Sequence, residues 1–583
     1  MPLDFRNTNS LWASVAVETL ARLGLQTAIL CPGSRSTPLT FAFAAHPDIE
    51  GLPILDERSA AFFALGCAKR QHRPIALVCT SGTAGANFYP AVIEAYESGI
   101  PLLVFTADRP PELRDCASGQ TIDQQKLYGS FTKHYSELAV PIASARMLAY
   151  LRQTLLNGWR RAIAPIPGPI HFNCPFRDPL PPLPDSSTQA LQATFEFESF
   201  FASVSTPLVS TASSIGGRSP SLPITTWQQT QKGLIIAGPS SPHYPQGYCQ
   251  AISQLSQQLG WPVLAEGLSP LRNYQCLTPS LISTYDLILR NRQRADTLIP
   301  EQVIQLGPLP ISKVLRQWLQ THQPLRWIVG PSRNLDPLHG PVQGLTTDLE
   351  QIISVLKVEN VPVNSSYAQQ WLTQETAIRQ SLDNQLATEN NLLESKVVWL
   401  LAQCLPDDTP LFVANSMPVR DVEYFWPPGD RKIQPVFSRG ANGIDGTLST
   451  AMGLAHHNFP TVLLTGDLAF LHDTNGLLNA SQLSGHLTII VINNNGGGIF
   501  EMLPIAQFNT APEDYFEKYF ATPQQVDLFS LCKAYGVEHR LISNTKEFVD
   551  CVKILPAQGM RVLEVVCDRR QSAQQRKHLI NAV

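Results

Sequence analysis

The sequence predicts an α/β fold built from several doubly wound parallel sheets. Its 583 residues are too many for one ordinary core. Short apolar runs bounded by Gly, Pro or Ser also alternate with helix-like segments, which is typical of buried parallel strands followed by loops and helices. The predicted strands lie in TAILCPGS, PIALVCTSGT, IPLLVFTADRPP, GLIIAGPS, LRWIVGPS, PLFVANS, PTVLLTGD, HLTIIVINNN and MRVLEVVCD.

The composition excludes several classes of protein. Charged residues make up 15% of the chain, and 43 Lys and Arg against 47 Asp and Glu give a net charge of −4. A nucleic-acid binder usually has a basic excess that neutralises phosphates, so we expect no nucleic-acid partner. No apolar run approaches the roughly 18 residues that a membrane-spanning helix needs, so we expect no membrane span.

The cysteines and the N-terminus indicate a cytoplasmic protein. Eleven cysteines are scattered from Cys31 to Cys567 without a C-x-x-C pair, so neither a zinc site nor a disulfide framework is expected. The first residues carry Asp4 and Arg6 in an amphipathic pattern, not a basic end followed by an apolar run. We therefore predict a first helix here, not a secretory signal, and a reducing compartment.

Changes in composition predict three domains. Residues 202–232 are rich in Ser, Thr, Pro and Gly and lack apolar periodicity, which indicates a linker or long surface loop. A weaker boundary falls within 365–395, where Gln- and Asn-rich helical sequence precedes a new strand. The predicted units are a first domain at 1–200, a linker at 201–232, a central domain at 233–385 and a last domain at 386–583.

The most specific local motif lies in the last domain. One predicted strand ends at Asp467, and 27 residues later a second ends at Asn494, followed by glycines 496–498. Since parallel strands end at the same sheet edge, the Asp467 carboxylate, the Asn494 amide oxygen and a loop carbonyl can converge on Mg²⁺. The glycines allow backbone N–H groups to approach a phosphate. Alone, the Gly-Asp pair is equally typical of a helix cap and turn.

With this spacing, the sequence resembles thiamine-diphosphate enzymes, whose signature is G-D-x, some 25 to 30 residues, then N-N. Further motifs narrow the resemblance to the family of 2-succinyl-5-enolpyruvyl-6-hydroxy-3-cyclohexene-1-carboxylate synthases, across the first and last domains. These motifs are CPGSRSTPLT, LDERSAAFFALGCAKR, CTSGTAGANFYPAVIEA, TADRPPELRDCASGQTIDQ, VANSMPVRD and FSRGANGIDGTLSTAMG. The central domain matches loosely.

The resemblance implies the cofactor site. Thiamine diphosphate, with Mg²⁺ or Mn²⁺, would have its aminopyrimidine ring hydrogen-bonded to Glu57, and Ile444 would hold the cofactor in its bent form. Ile499, Phe500 and Leu503 would line an apolar wall around the reacting centre. The implied metal ligands are Asp467, Asn494 and Gly496, and the implied cofactor residues are Glu57, Ile444, Gly466, Asp467, Leu468, Asn494, Gly496, Gly497, Ile499 and Phe500.

The resemblance also implies the reaction. The family decarboxylates 2-oxoglutarate and adds the succinyl semialdehyde carbanion to isochorismate, in menaquinone or phylloquinone biosynthesis. Both substrates are dianions, so arginine at loops and strand ends fits their recognition. The implied catalytic residues are Glu57, Gln120, Ser416, Arg420 and Arg439. The implied substrate residues are Ser34, Arg35, Arg109, Gln120, Lys313, Ser416, Arg420, Arg439, Phe500 and Leu503.

Two details depart from the pattern that the family leads us to expect. Gly119 replaces an expected Asn beside Gln120, and Val314 replaces an expected Arg after Lys313. The adjacent His456 and His457 are predicted to lie at a helix end or loop of the last domain.

The family further implies a homodimer, or a dimer of dimers, with the active site between subunits, so that Glu57 of one chain meets Asp467 of another.

Two other functions fit parts of the sequence. An acetohydroxyacid synthase-like carboligase would share Glu57, Asp467 and Asn494 but would need fewer arginines, and the S-R-S-T-P and A-D-R-P-P-E-L segments speak against it. A dinucleotide-binding oxidoreductase fits the α/β pattern, but the chain has neither G-x-G-x-x-G after a strand nor a P-loop. A catalytically silent scaffold is improbable because the three cofactor residues occur together.

Overall fold

The computed structural model describes residues 3–204, 222–330, 333–356, 365–507 and 515–582. It contains three sheets of six strands, and all the strand pairs recorded in them are parallel. Helices flank each sheet, so the predicted α/β class with doubly wound parallel sheets is confirmed. Within the described ranges, no helix is long and apolar enough to cross a membrane.

The first sheet has the strand order β2-β1-β3-β4-β6-β5. Its central strands are fully buried because helices cover them, as their continuous apolar sequence predicts. The strands are β1 (Thr27–Leu30), β2 (Glu50–Pro53), β3 (Ile75–Cys79), β4 (Leu102–Asp108), β5 (His134–Glu137) and β6 (Ile170–Pro175). The helices are α1 (Thr8–Arg22), α2 (Thr37–Ala45), α3 (Glu57–Gln71), α4 (Ala84–Asn87), α5 (Tyr89–Ser98), α6 (Ala145–Ile163), α7 (Gln189–Gln192) and α8 (Phe197–Phe201).

The second sheet has the order β12-β11-β10-β7-β8-β9. Its core includes the buried tryptophans Trp227 and Trp261. The strands are β7 (Gly233–Ala237), β8 (Val263–Ala265), β9 (Leu281–Ile282), β10 (Gln302–Leu306), β11 (Leu325–Val329) and β12 (Val342–Leu345). The helices are α9 (Ile224–Gln229), α10 (Pro245–Leu259), α11 (Tyr285–Arg290), α12 (Arg292–Thr297), α13 (Lys313–His322), α14 (Leu349–Val355) and α15 (Ser366–Thr388).

The third sheet has the order β14-β13-β15-β16-β18-β17. Its strand order is the same as that of the first sheet. In both sheets, the second strand along the chain lies at the sheet edge. The strands are β13 (Pro410–Val413), β14 (Gln434–Val436), β15 (Thr461–Gly466), β16 (His486–Asn493), β17 (Glu538–Ile542) and β18 (Gly559–Val566). The helices of this part of the chain are α16 (Glu394–Cys404), α17 (Met417–Phe425), α18 (Thr447–Ala455), α19 (Asp467–His472), α20 (Leu528–Ala534), α21 (Thr545–Lys553) and α22 (Arg569–Asn581).

Two structural features lie at the predicted domain boundaries. Within the predicted linker, residues 205–221 lie outside the described residues, but α9 is a helix and its Trp227 is fully buried in the core of the second sheet. The predicted boundary at 385 falls inside α15, which runs to Thr388. Contacts also group residues 438–458 and 472–484 with the first part of the chain. The three-domain division itself stays a prediction.

Helices α3 and α18 touch through their backbones, and glycine makes this possible. A Cβ atom on Gly66 would lie 2.0 Å from the Thr450 carbonyl oxygen, and one on Gly453 would lie 2.0 Å from that of Phe63. The Cys67 thiol donates to the Gly453 carbonyl at 3.4 Å. Because α3 begins at Glu57 and α18 follows Ile444, this contact joins two predicted cofactor residues within one packed pair.

Replacing Gly66 by Ala should destabilise the protein by about 3 kcal/mol or more. The new methyl group collides with a backbone oxygen that cannot rotate away, so the two helices must separate, as in other overpacked cores. Urea unfolding measures this loss. The matched control is Gly119→Ala, because Gly119 has open space around its Cβ direction. Equal stability of the Gly66→Ala variant and the control would show that α3 and α18 can move apart with little loss of stability.

A buried histidine makes the first sheet sensitive to acid. His171 lies on β6, and its Nε2 is 2.7 Å from the Thr106 hydroxyl, while its Nδ1 has no partner among the described residues. Burial lowers the pKa of His171 to about 3. In the unfolded chain this side chain binds a proton near pH 6.5, whereas in the folded protein it does so only near pH 3. The free energy of unfolding therefore falls as the pH drops through this window.

We expect protonation of His171 in the unfolded chain to lower the free energy of unfolding by about 2 kcal/mol between pH 7.5 and pH 5. Urea unfolding at both values, for wild type and His171→Gln, measures it: the variant should lose less stability on acidification by that amount. His339→Gln is the control, since His339 is exposed. An unchanged pH slope in the His171→Gln variant contradicts the prediction, even if the substitution lowers stability at both values.

Candidate functional site

The carboxyl edge of the third sheet brings Asp467 and Asn494 to the same place. Strand β15 ends at Gly466 and pairs in parallel with β16, which ends at Asn493, one residue before the predicted strand end. The Asp467 carboxylate is buried and accepts two backbone hydrogen bonds, from Leu468 N at 2.8 Å and from Gly496 N at 2.7 Å. These bonds fix the carboxylate at the strand end.

Asn494, which follows the neighbouring strand β16, has a side-chain oxygen without a partner among the described residues. Its Nδ2 donates to Glu394 at 2.8 Å, while its buried Oδ1 accepts no hydrogen bond among the described residues. Burial, and to a lesser extent the charge of Glu394, raises the pKa of Asp467 to about 6. A bound cation would satisfy the Asn494 oxygen and stabilise the charged carboxylate, so these residues fit a hard divalent ion.

The glycine loop, residues 496–498, is held in place by hydrogen bonds of its backbone. Gly496 has a φ of +125°, and Gly497 N donates to the Ala521 carbonyl at 2.7 Å. Phe500 packs edge to face on Phe520, with ring centroids 5.6 Å apart. Ile499, Phe500 and Leu503 are half-buried, which suits an apolar wall. Residues 508–514 lie outside the described residues.

Glu57 stands at the N-terminus of α3. Asp56 caps this helix by accepting Ser59 N at 2.9 Å, and its other oxygen accepts Asn475 Nδ2 at 2.8 Å. The cap leaves Glu57 as the first helical residue, with a half-buried side chain. A carboxylate fixed at a helix start can accept a hydrogen bond from a ligand ring nitrogen.

The loop that carries Arg439 and Ile444 is anchored by a buried carboxylate that sequence analysis did not identify. Glu94 on α5 accepts Gly440 N at 3.0 Å and Ala441 N at 2.6 Å. Both predicted residues are half-buried on this loop. Glu94 lies far away in sequence and belongs to an ordinary helical pattern, so no local motif reveals its role.

Arg35 and Ser34 follow strand β1 at the carboxyl edge of the first sheet. Arg35 is buried, its backbone N donates to the Thr80 hydroxyl at 3.3 Å, and its Nη1 donates to the Phe176 carbonyl at 3.0 Å. Its Nε has no partner among the described residues. Ser34 beside it is exposed. Arg35 Nη1 also lies 3.7 Å from Asp178 Oδ1, so Arg35 already pairs with a carboxylate of the chain, which a ligand carboxylate would have to share or replace.

Arg109 and Gln120 converge on Ser81 at this edge. Arg109 Nη1 donates to the Ser81 hydroxyl and, at 2.8 Å, to the Gln120 carbonyl. Gln120 Nε2 donates to the Ser81 carbonyl at 3.0 Å. Burial, followed by the nearby charge of Arg35, lowers the pKa of Arg109. The structure thus brings four of the predicted substrate residues, Ser34, Arg35, Arg109 and Gln120, to one edge of the first sheet.

A buried polar network supports this edge, and sequence analysis did not predict it. Gln124 accepts Gly82 N at 2.9 Å and donates to Asn173 at 3.0 Å. Asn173 Nδ2 donates to Asp108 and to Glu137, each at 2.9 Å. Each of these residues has its partners far away along the chain, so spacing in the sequence carries no trace of the network.

Ser416 and Arg420 lie at the start of α17, while Lys313 lies elsewhere in the same compact unit. Ser416 adopts a φ of +74°, and Arg420 Nη1 donates to its carbonyl oxygen. A non-glycine residue at positive φ is costly, and such strain is common at ligand sites. Lys313 is the first residue of α13 and is exposed, with no recorded contact to either residue.

The His456 and His457 pair ends α18 and contacts Glu50. The two Nε2 atoms lie 3.2 and 2.9 Å from Glu50 Oε1. Although the three side chains are close enough for a metal site, His456 Nδ1 accepts Ser484 N–H, so its Nε2 carries the proton and donates to Glu50. The pair is therefore a structural contact at a helix end.

Comparison with known families identifies the class of protein. The N-terminal thiamine pyrophosphate (thiamine diphosphate) binding domain of thiamine pyrophosphate enzymes matches residues 12–127, their middle domain matches 209–413, and their C-terminal thiamine pyrophosphate binding domain matches 422–565. The chain is a thiamine-diphosphate-dependent enzyme. Arg35 and Arg109 lie within the N-terminal cofactor-binding match, and Asp467 and Asn494 lie within the C-terminal one.

Full-length relatives narrow the class. The 2-succinyl-5-enolpyruvyl-6-hydroxy-3-cyclohexene-1-carboxylate synthase of Nostoc sp. (strain PCC 7120 / SAG 25.82 / UTEX 2576) is 56% identical, with 99% of this chain and 98% of the relative covered. That of Trichormus variabilis (strain ATCC 29413 / PCC 7937) is 56% identical with the same coverage, and that of Gloeothece citriformis (strain PCC 7424) is 55% identical over 98% of both. The chain belongs to this synthase family of transferases.

Proposed function

We propose that this enzyme decarboxylates 2-oxoglutarate and transfers the remaining four-carbon unit to isochorismate, forming 2-succinyl-5-enolpyruvyl-6-hydroxy-3-cyclohexene-1-carboxylate for menaquinone or phylloquinone. The full-length similarity to synthases of that name carries the proposal. The two sheet edges, one with a cation-binding pair and one with paired arginines, support it chemically.

The residues at the third sheet hold the diphosphate end of the cofactor in this proposal. Asp467, Asn494 and the Gly496 carbonyl would bind Mg²⁺ or Mn²⁺. The backbone N–H groups of 496–498 donate to Asp467, Ala521 and Gly496, so they hold the loop in place at this site. Bound thiamine diphosphate supplies the acidic carbon that adds to the 2-oxo group. Glu57 accepts a hydrogen bond from the aminopyrimidine ring and Ile444 keeps the two rings bent, while Gly466, Leu468, Gly497 and Ile499 shape the surrounding wall.

The arginines bind the two dianionic substrates. Ser416 and Arg420 hold the distal carboxylate of the succinyl unit, and Arg35 and Arg109 hold isochorismate carboxylates by bidentate hydrogen bonds. Burial lowers the pKa of Arg109 and of Arg420, and a carboxylate that pairs with either guanidinium would stabilise its charged form. Ser34, Gln120, Lys313, Arg439, Phe500 and Leu503 complete the proposed substrate pocket.

We also propose that the enzyme acts as a homodimer or a dimer of dimers in the cytoplasm. In this arrangement, Glu57 of one subunit serves the cofactor held by Asp467 of another. The eleven cysteines, all free and eight of them buried, suit a reducing compartment. Sedimentation of the purified protein with and without cofactor tests the assembly.

A direct assay tests the reaction. Purified protein is incubated with thiamine diphosphate, Mg²⁺, 2-oxoglutarate and isochorismate, and the isochorismate absorbance and the mass of the product are followed. We expect loss of the absorbance with formation of the adduct, and neither with the Asp467→Asn variant. Consumption of pyruvate without reaction of isochorismate would instead identify an acetohydroxyacid synthase-like enzyme.

A further inference from the structure

A buried cluster of charges lies behind the proposed cation site. Arg576 on α22 donates two hydrogen bonds to Asp421, from Nε at 2.6 Å and from Nη2 at 2.8 Å, and one to Glu394 from Nη2 at 2.8 Å. All three residues are at most 3% exposed. The cluster therefore joins the start of α16, the middle of α17 and the C-terminal helix α22.

Glu394 also forms a hydrogen bond with Asn494. Its Oε2 faces Arg576, and its Oε1 accepts Asn494 Nδ2 at 2.8 Å. A carboxamide has one donating and one accepting end, so holding Nδ2 decides where Oδ1 points. That oxygen is the buried one without a partner in the described part of the chain. A rotated amide would present N–H groups to the cation in place of the oxygen.

We propose that Glu394, itself fixed by Arg576, is a positioning residue that orients the Asn494 amide so that its oxygen faces the divalent cation. The inference rests on the proposed function, because it presupposes a cation between Asp467 and Asn494. Outer carboxylates that orient metal ligands commonly change metal affinity ten- to a hundredfold when mutated.

The same guanidinium connects the cation site with the proposed substrate site. Asp421 follows Arg420 directly on α17, so Arg576 fixes the helix that carries this arginine as well as the Glu394 carboxylate. Buried ion pairs are weak stabilisers compared with apolar packing, although breaking one partner is costly. The test must therefore separate orientation of Asn494 from general support of the fold.

Mn²⁺ binding in the presence of thiamine diphosphate, followed by electron paramagnetic resonance, provides this readout without any turnover. The Glu394→Gln variant keeps the side-chain shape but offers Asn494 a competing donor, and we expect its Mn²⁺ affinity to fall ten- to a hundredfold. Glu389→Gln is the control, because Glu389 accepts Gln575 Nε2 at 2.8 Å in the same region and has no recorded hydrogen bond to Asn494. Its affinity should equal that of wild type.

A double substitution distinguishes orientation from folding. In Glu394→Gln with Asn494→Asp, the amide of the first donates to the carboxylate of the second, which leaves a carboxylate oxygen for the cation. We expect Mn²⁺ affinity to recover at least tenfold over Glu394→Gln, although the melting temperature without cation stays that of the single variant or lower.

The outcomes separate the inference from the proposed function. Wild-type affinity in the Glu394→Gln variant, or equal weakening of the single and double variants, overturns the positioning role. Failure of the wild-type protein to bind Mn²⁺ with thiamine diphosphate overturns the proposed cation site itself. Recovery in the double variant supports the inference even where the single variant is partly unfolded.

Discussion

Replacing Glu57 by Gln should leave thiamine diphosphate bound while slowing proton exchange at its thiazolium C2 by about a hundredfold or more. The substitution keeps the side-chain length at the start of α3 and the Asp56 cap beside it. It removes the negative charge that draws a proton toward the carboxylate, and loss of such acid–base help typically costs 10² to 10⁴ in rate.

Two measurements check this prediction. Hydrogen–deuterium exchange at C2, read by proton magnetic resonance after quenching, gives the rate, and calorimetry gives cofactor affinity. The Glu112→Gln variant is the control, since Glu112 is exposed and pairs with the exposed Arg177. Wild-type exchange in the Glu57→Gln variant would show that another group activates the cofactor. Loss of binding together with exchange would instead make Glu57 a binding residue.

Nine of the twelve interior strands were predicted from sequence, whereas no edge strand was, and the interior strands β6, β8 and β10 were also missed. All nine predicted apolar runs are strands, and they include β3, β4 and β16, which are buried along almost their whole length. The strands at sheet edges are short or polar: β2 is EGLP, β5 is HYSE and β12 is VQGL. Because one side of an edge strand meets solvent or loops, its sequence lacks the continuous apolar run.

The candidate site was predictable where it depends on strand ends. Asp467 and Asn494 were identified because each follows a recognisable buried strand, and parallel pairing then brings them to one edge. The residues that hold the site in place, such as Glu94, Asn173 and Glu394, were not identified. Their partners lie about 35 to more than 300 residues away in sequence, so only the folded chain reveals them.

Composition did not reveal a buried residue within the predicted linker. The stretch 202–232 contains many Ser, Thr and Pro residues, yet its Trp227 is a fully buried member of the central core. One tryptophan gains several kcal/mol by burial, roughly 25 cal/mol per Å² of apolar surface, which outweighs the weak preferences of its polar neighbours. A composition averaged over such a stretch does not reveal one buried tryptophan.

Replacing Gly496 by Ala should weaken binding of Mn²⁺ with thiamine diphosphate by at least a hundredfold. Gly496 has a φ of +125°, a conformation that residues with a Cβ rarely adopt, and its Cβ would lie 2.2 Å from the Ala521 carbonyl oxygen. Strain of this kind costs about 1–3 kcal/mol before the collision is counted. The loop must shift, which breaks the 2.7 Å hydrogen bond from Gly496 N to Asp467.

The effect should be confined to binding, because the loop lies at the edge of the sheet beyond the end of β16. Mn²⁺ titration by electron paramagnetic resonance measures affinity, and thermal unfolding without cation measures the fold, which should lose only a few degrees. Gly429→Ala is the matched control, since Gly429 has open space at its Cβ position. Tight Mn²⁺ binding by the Gly496→Ala variant would mean that Asp467 and Asn494 hold the cation without the glycine loop, and the loop's contribution to the proposed site would then be discarded.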